Sequence, residues 1–388
     1  MTLHQTIDIS RKILMYVGIG VGVAFTIYLI FQLGVIIKNT IAPPPTEPPT
    51  VTYGKVQPII FPENKTKQKL SFTVNTLSGA LPLFPDRIAL FKVEEPQPNF
   101  LNLSKAQEKA GQLRFVDQEG ELLPETKIDN SIYHWQERTG LQRKFTIDIV
   151  TFHFDLESNF TTRTTEKHFP MSDTDAITKV TNLLSVVSLT PTDVDLEQTK
   201  NPDEERHFRT KPQRFRIDNG KLLPVDVLSE TQVLRVDLYQ KDITYALDTG
   251  LPSPVGGTTK EPIEIPVVYP NPPYSTMSFW VGSGESDTQV VAAHFFYYKP
   301  LIEEEEQATY PLKTAEEAFT ELMDGKGYIA SYFGTETNIA INNVFLAYYL
   351  GDQPHSYLMP VIVFEGTNGF FAYVSALRED WIETQPQE

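Results

Sequence analysis

The sequence predicts an α+β fold carried on one N-terminal transmembrane helix. Three observations lead there: an uncharged apolar run from Ile13 to Ile37, a proline-rich stretch directly after it, and a long remainder in which helix-capping signals alternate with strand-period segments. The 388 residues carry a net charge of −17 and include no cysteine. Such acidity gives no general affinity for nucleic acid, because phosphate binding needs clustered Lys and Arg. The absence of thiols rules out a disulfide framework and a thiolate metal site, and favours a bacterial envelope protein over a disulfide-rich ectodomain.

At about 1.5 Å per residue, a helix over Ile13 to Ile37 reaches roughly 38 Å, enough to cross a hydrocarbon core of about 30 Å. Arg11 and Lys12 precede it and Lys38 follows. By the positive-inside rule residues 1–12 stay in the cytoplasm and the long remainder lies outside, which makes a single-pass protein of the cell membrane. A cleaved signal peptide would have an apolar region of about 7–15 residues and a small-residue cleavage site. Asn39 to Pro43 supplies no such site, so the segment reads as a retained signal anchor. Gly18 and Gly22 have the small-x-x-x-small spacing that lets membrane helices approach closely, and Gln32 can bond across such a contact. A homo-oligomer or a contact with a partner's span is the functional reading. The competing one is that glycine is common in membrane helices and Gln32 reaches the headgroups.

Pro43, Pro44, Pro45, Pro48 and Pro49 favour extended polyproline II and make a stiff stalk. With the lead-in Tyr53 to Pro62 it occupies residues 38–69. From Ser71 the period changes to two: Ser71 to Leu77 and Arg87 to Val93 read as strands. Ser104 as cap, the helix formers Lys105 to Ala110 and a closing Gly111 describe a short helix. Ser131 to Arg138 and Lys144 to Leu156 form a hairpin about Thr139-Gly140, the second strand with apolar residues on both faces. Ser172 and Asp175 make a capping box that opens a helix over Asp173 to Leu189. Strands follow around Phe208 to Ile217, Lys221 to Val227 and Val233 to Tyr239, the first two joined by Asn219-Gly220, a strong hairpin signal.

Leu251 to Pro273 is rich in proline and reads as a long loop or a linker. Val290 to Tyr298 is a strand, and Glu303 to Glu306 a solvated loop. Thr314 and Glu317 form a second capping box, opening Ala315 to Met323, with Gly325 just past its end. The strands Asn338 to Leu350, Tyr357 to Glu365 and Phe370 to Leu377 complete the pattern. Grouped together, these elements predict three tandem helix-and-antiparallel-meander modules at 70–170, 171–250 and 276–382, with a linker at 251–275 and a tail at 383–388.

The last module carries the pattern TAEEAFTELMDGKG (Thr314 to Gly327), AYYLG (Ala347 to Gly351), LMPVIVFEG (Leu358 to Gly366) and AYVSA (Ala372 to Ala376). In these segments it resembles the PepSY-like modules of the YycH and YycI type regulators of bacterial sensor kinases. Ile362 and Ser375 depart from that pattern, which tends to have an aromatic and an Asn there. The resemblance implies a single span, an extracytoplasmic domain of such modules and a regulatory, non-catalytic role. The stalk and the YGKVQPIIFP lead-in are also similar to single-span envelope proteins of reduced-genome bacteria. Neither likeness supplies catalytic residues, and likeness of fold is a weak warrant for function.

Arg206, Arg209, Lys211, Arg214 and Arg216 form a basic cluster in an otherwise acidic domain. It reads either as a contact for anionic headgroups, a cell-wall polyanion or an acidic partner, or as a solvated strand face paired with neighbouring acids. Asp173 with Asp175, and Asp193, Asp195 and Glu197, suggest calcium but lack the full loop; the first pair fits a helix N-terminus better. The histidines have no zinc-ligand spacing, and His134, His153 and His294 read as strand residues with satisfied ring nitrogens. No nucleophile elbow, P-loop or dinucleotide fingerprint occurs. The expectation is therefore no catalytic residue, no metal and no cofactor. The chain reads as an interaction module, anchored in membrane lipid by its span, that regulates or assembles other envelope or membrane proteins. A structural scaffold of an envelope complex is the second reading. An envelope hydrolase is the third, and a deep pocket collecting carboxylates or a histidine is the feature that would favour it.

Overall fold

The computed structural model describes residue 22 and residues 25–32, 48–66, 68–163, 168–203, 206–252, 258–284, 290–302 and 307–384. The chain is α+β, with sheet predominating. After the lead-in, β1 (Ser71–Val74) and β2 (Arg87–Val93) form where the period-two residues lie. The helix α1 (Asn102–Gln112) begins earlier than its expected Ser104 cap, and Gly111 lies inside it. The reason is local: the Asn99 side chain and carbonyl accept from the N–H groups of Leu101 and Asn102 at 2.9 and 3.0 Å and close the turn there.

Next come β3 (Thr126–Lys127) and β4 (Ile132–Gln136). The expected single strand Lys144 to Leu156 is two strands, β5 (Lys144–Asp148) and β6 (Phe154–Glu157). Asp148 Oδ1 accepts from the N–H groups of Val150 and Thr151 at 2.7 and 3.3 Å, and Phe152 takes a φ of 59°, so the chain folds back. That turn is why apolar residues fell on both faces of the expected strand. Helices α2 (Phe160–Arg163), α3 (Asp173–Val186) and α4 (Leu196–Lys200) follow. The capping box of Ser172 and Asp175 is formed at α3.

β7 (Gln213–Asp218) and β8 (Lys221–Pro224) turn through Asn219 and Gly220, whose φ values of 50° and 77° are what a two-residue hairpin needs. β9 (Val233–Asp237) is next, followed by the paired strands β10 (Ile243–Pro252) and β11 (Thr258–Ile265), a hairpin where a loop or linker was expected. The remainder is β12 (Val267–Val268), β13 (Met277–Gly282), β14 (Val290–Phe295), β15 (Pro300–Leu301), β16 (Gln307–Pro311), α5 (Ala315–Met323), β17 (Tyr328–Ser331), β18 (Asn338–Tyr349), β19 (Tyr357–Gly366) and β20 (Phe370–Ser375). The box of Thr314 and Glu317 is formed at α5.

The chain divides into two compact units, Met1–Pro48 with Tyr245–Ile263, and Pro49–Thr244 with Glu264–Glu388. In the first, residues 25–32 are helical, and Phe25, Ile27, Leu29, Ile30 and Phe31 are exposed. Thr26 Oγ1 donates to the Gly22 carbonyl at 2.9 Å and Gln32 Nε2 to the Tyr28 hydroxyl at 3.0 Å, so these polar groups are satisfied within the helix. Among the described residues no helix is long and apolar enough to cross a membrane. Gly18, most of the expected span, the N-terminal residues 1–12, the proline stalk up to residue 47 and the acidic run 303–306 lie outside the described residues.

In the second unit one nine-stranded sheet runs β3-β4-β5-β6-β14-β13-β9-β7-β8. The other runs β1-β18-β19-β2-β15, with β12 on β18, β16 on β2, and β20 joining β17 to β19. The strands cross the expected module boundaries. Ser71 of β1 lies beside Asn338 of β18, and β13 and β14 sit between β6 and β9. These pairings join residues far apart in the chain, which local periodicity does not encode. α1 and α3 close one face of the first sheet over Trp135, Phe145, Phe154, Val236 and Phe279, all buried. The second sheet has its own cluster around Tyr328, Tyr349, Val361 and Tyr373.

Candidate functional site

Strand alternation builds the site. On β9, Leu234 and Val236 enter the helix-covered core, so Arg235 and Asp237 lie on the opposite face. Register then lines up a polar row across four strands: Asp237 is opposite Ser278 on β13, Ser278 opposite His294 on β14, and His294 opposite Asp155 on β6. One pair along, Arg235 is opposite Trp280. Of these residues Ser278, His294, Arg235 and Trp280 line a cleft of about 440 Å³, which Ala330, Ser331, Phe333 and Asp352 also line.

Arg235 is locked in place. Its Nε and Nη2 donate to the Asp237 carboxylate at 2.9 and 3.0 Å, and Nη2 also donates to Ser278 Oγ at 2.8 Å. Asp237 further accepts from Ser278 Oγ at 2.5 Å and from the Ser275 N–H at 3.0 Å. The guanidinium lies 3.7 Å from the Tyr274 ring centroid and 4.9 Å from that of Trp280. Nη1 has no protein acceptor among the described residues, so the fork is fixed at one edge and open at the other.

His294 Nδ1 is 2.7 Å from Asp155 Oδ1, and Nε2 is 3.6 Å from Asp352 Oδ1, an ion-pair distance longer than a hydrogen bond. Burial alone would lower its pKa, but bonding to and the charges of Asp155 and Asp352 outweigh that and lift it to about 9. At neutral pH His294 is therefore a cation. From it a ladder of rings runs through Phe296 at 4.4 Å, His153 at 4.9 Å, Tyr298 at 4.6 Å and His355 at 4.4 Å. Burial lowers the pKa of both His153 and His355, so these rings are neutral. Nε2 of His153 donates to the Tyr297 carbonyl at 2.9 Å. His153 and His294 thus have ring partners, although His153 stands in the loop just before β6; His134 lies in β4 as expected, but its Nδ1 is buried without a partner among the described residues.

The basic cluster lies elsewhere and is largely neutralised. Arg206 and Arg209 both pair with Asp242, the latter at 2.6 Å, and Arg206 is 3.9 Å from Asp203 and 3.8 Å from Glu264. Arg209 is buried, its guanidinium 5.5 Å from the Tyr239 ring and 5.7 Å from Phe208. Arg214 pairs with Asp173, while Lys211 and Arg216 are exposed. Asp175 is held in the α3 capping box, and Asp195 caps α4 through the N–H groups of Glu197 and Gln198 at 3.1 and 3.0 Å. Asp175 and Asp195 therefore serve helix ends, while Asp193 accepts from Gln240 Nε2 at 2.8 Å.

Sequence reasoning passed over Arg235, Asp237, Ser278 and Trp280. The signal was present as Arg and Asp two apart on a β-period strand, which places both on one face. What it could not give was the strand order that brings Ser278 and His294 alongside. The cleft does bring a histidine and a carboxylate together, as the hydrolase reading required. Yet His294 is protonated and Asp352 is the lining carboxylate, whereas glycoside hydrolysis uses two flanking carboxyls. Ser283 Oγ lies 3.3 Å from His168 Nδ1, but it is also 3.1 Å from the carbonyls of Thr231 and Gln232, which can only accept its proton. No known protein family matches the chain, and neither a curated protein nor a solved structure matches it.

Proposed function

We propose that the protein is a single-span, membrane-anchored extracytoplasmic module that works by binding, without catalysis, to regulate or assemble other envelope proteins. The observation that carries the binding reading is the Arg235 cleft: a cation pinned by Asp237, Ser278, Tyr274 and Trp280 with one donor edge open. Fixing a charged fork in this way favours recognition, because little side-chain freedom is lost when a ligand binds. A base poised near neutral pH, as catalysis would need, is not supplied by His294. The apolar run Ile13 to Ile37 and the exposed apolar helix at 25–32 support the anchor, and the likeness of the C-terminal segments to PepSY-like modules supports a regulatory role.

The test has two parts. Membranes from cells expressing the full chain are extracted at alkaline pH; the protein should stay with the membrane, and a variant lacking residues 13–37 should be released. Crosslinking in the native membrane should then give a heterologous adduct. A ladder of self-adducts alone would favour the scaffold reading, and release of the full chain would end the anchor.

A further inference from the structure

We propose that the cleft walled by Arg235 and Trp280 is a saccharide-binding site. This rests on the binding reading above, which the same cleft carries, and deepens it by naming the class of ligand the cleft takes.

The cleft holds unspent hydrogen-bonding capacity of both signs. Ser331 lines it, is only 4% exposed, and its Oγ has no partner. Asp352 Oδ1 has only the 3.6 Å ion pair to His294, and is otherwise without a hydrogen bond. Arg235 presents the two donors of Nη1. A buried hydroxyl left unpaired is costly, so a ligand that reaches Ser331 gains what the free protein forgoes. To serve a donor edge, a carboxylate oxygen and a hydroxyl together, the ligand must both give and accept protons, which is what hydroxyl groups do.

Charge argues the same way. Lys65, Arg235 and His294 line the cleft, but Arg235 is matched by Asp237, and His294 stands between Asp155 and Asp352. The formal charges cancel, so nothing favours a phosphate or an acidic peptide. Beside Pro270, Pro272 and Ala330 the lining includes four aromatic rings: Tyr274 and Trp280, each with Arg235 against it, Tyr332, and Phe333, the last 74% exposed. Such rings offer flat apolar surface to the C–H face of a sugar ring while the polar row meets its hydroxyls. At about 440 Å³ the cleft lies within the range of small-ligand sites, about 300–1,000 Å³.

The experiment uses the purified full chain in lipid nanodiscs, free of sugar-headed detergent. It is screened on a panel of neutral and acidic oligosaccharides, and the best binder is titrated by tryptophan fluorescence. Saturable binding of a neutral oligosaccharide is expected. Phe333→Ala should weaken it about three- to tenfold through loss of an aromatic face, and Ser331→Ala about fivefold through loss of one hydrogen bond. Because the Ser331 hydroxyl has no partner, Ser331→Ala should leave the urea midpoint unchanged or raised, which separates a lost contact from a lost fold. Arg216→Ala should bind as the parent does. The proposal is overturned if no oligosaccharide saturates, if one does but both cleft variants bind it normally, or if inorganic phosphate or an acidic hexapeptide binds the cleft in its place.

Discussion

Two arginine-bearing regions of this molecule carry similar residues and have opposite fates. In the segment from Arg206 to Arg216 the cations are dense, yet Arg206 and Arg209 close on Asp242, and Arg214 closes on Asp173. Around β9 a single arginine pairs with a single aspartate, but register sets Trp280 and Ser278 beside it and leaves one edge of its fork facing a cleft. The difference teaches that charge density along a chain is a poor locator of a binding surface. What matters is where the donors left over by the fold point: at Arg209 the unpaired Nε and Nη1 are enclosed, whereas at Arg235 the spare edge lines a cleft.

The largest test of that contrast removes the aspartate that pins the open site. Asp237→Ala should lower stability by roughly 3–5 kcal/mol, since it takes the carboxylate from Arg235 and leaves the Ser275 N–H without its acceptor. Urea denaturation reads this directly. Arg209→Ala should cost about 2 kcal/mol, less because Asp242 retains Arg206. If both variants cost the same, the two regions are not distinguished by how their carboxylates are shared.

A pH series sharpens the comparison next. His294 has its pKa raised from 6.5 to about 9, so its contribution to stability is complete below 6.5 and is lost as pH rises through about 9. The urea midpoint of the parent should fall over that window, and His294→Gln should flatten the fall. His153 and His355 work in the other direction: their pKa values are lowered, so stability is lost as pH falls below 6.5. The smallest effects belong to Lys211→Ala and Arg216→Ala, whose exposed side chains should change stability by no more than about 0.5 kcal/mol.

Where the controlling interactions are local, the sequence reading succeeded. The boxes at Ser172 and Thr314, the Asn219-Gly220 hairpin and the strands beginning at Asn338, Tyr357 and Phe370 each depend on residues a few positions apart. It failed where a single side chain redirected the backbone, as Asp148 does within the expected long strand and Asn99 does before α1. It failed again where pairing is non-local. Ser71 beside Asn338 and His294 beside Asp155 dissolve the tandem boundaries, and the second of these pairings also creates the site. His294 was noticed as a residue but not as part of a row, because the row exists only across strands.

The binding surface we propose is the Arg235 cleft and not the basic segment. A photoreactive amino acid placed at Phe333 on the cleft lip, and separately at Arg216, tests it in cells carrying the full chain. A discrete adduct is expected from position 333, diminished by Ser331→Ala, and none from position 216. An adduct at 216 with none at 333 would contradict it.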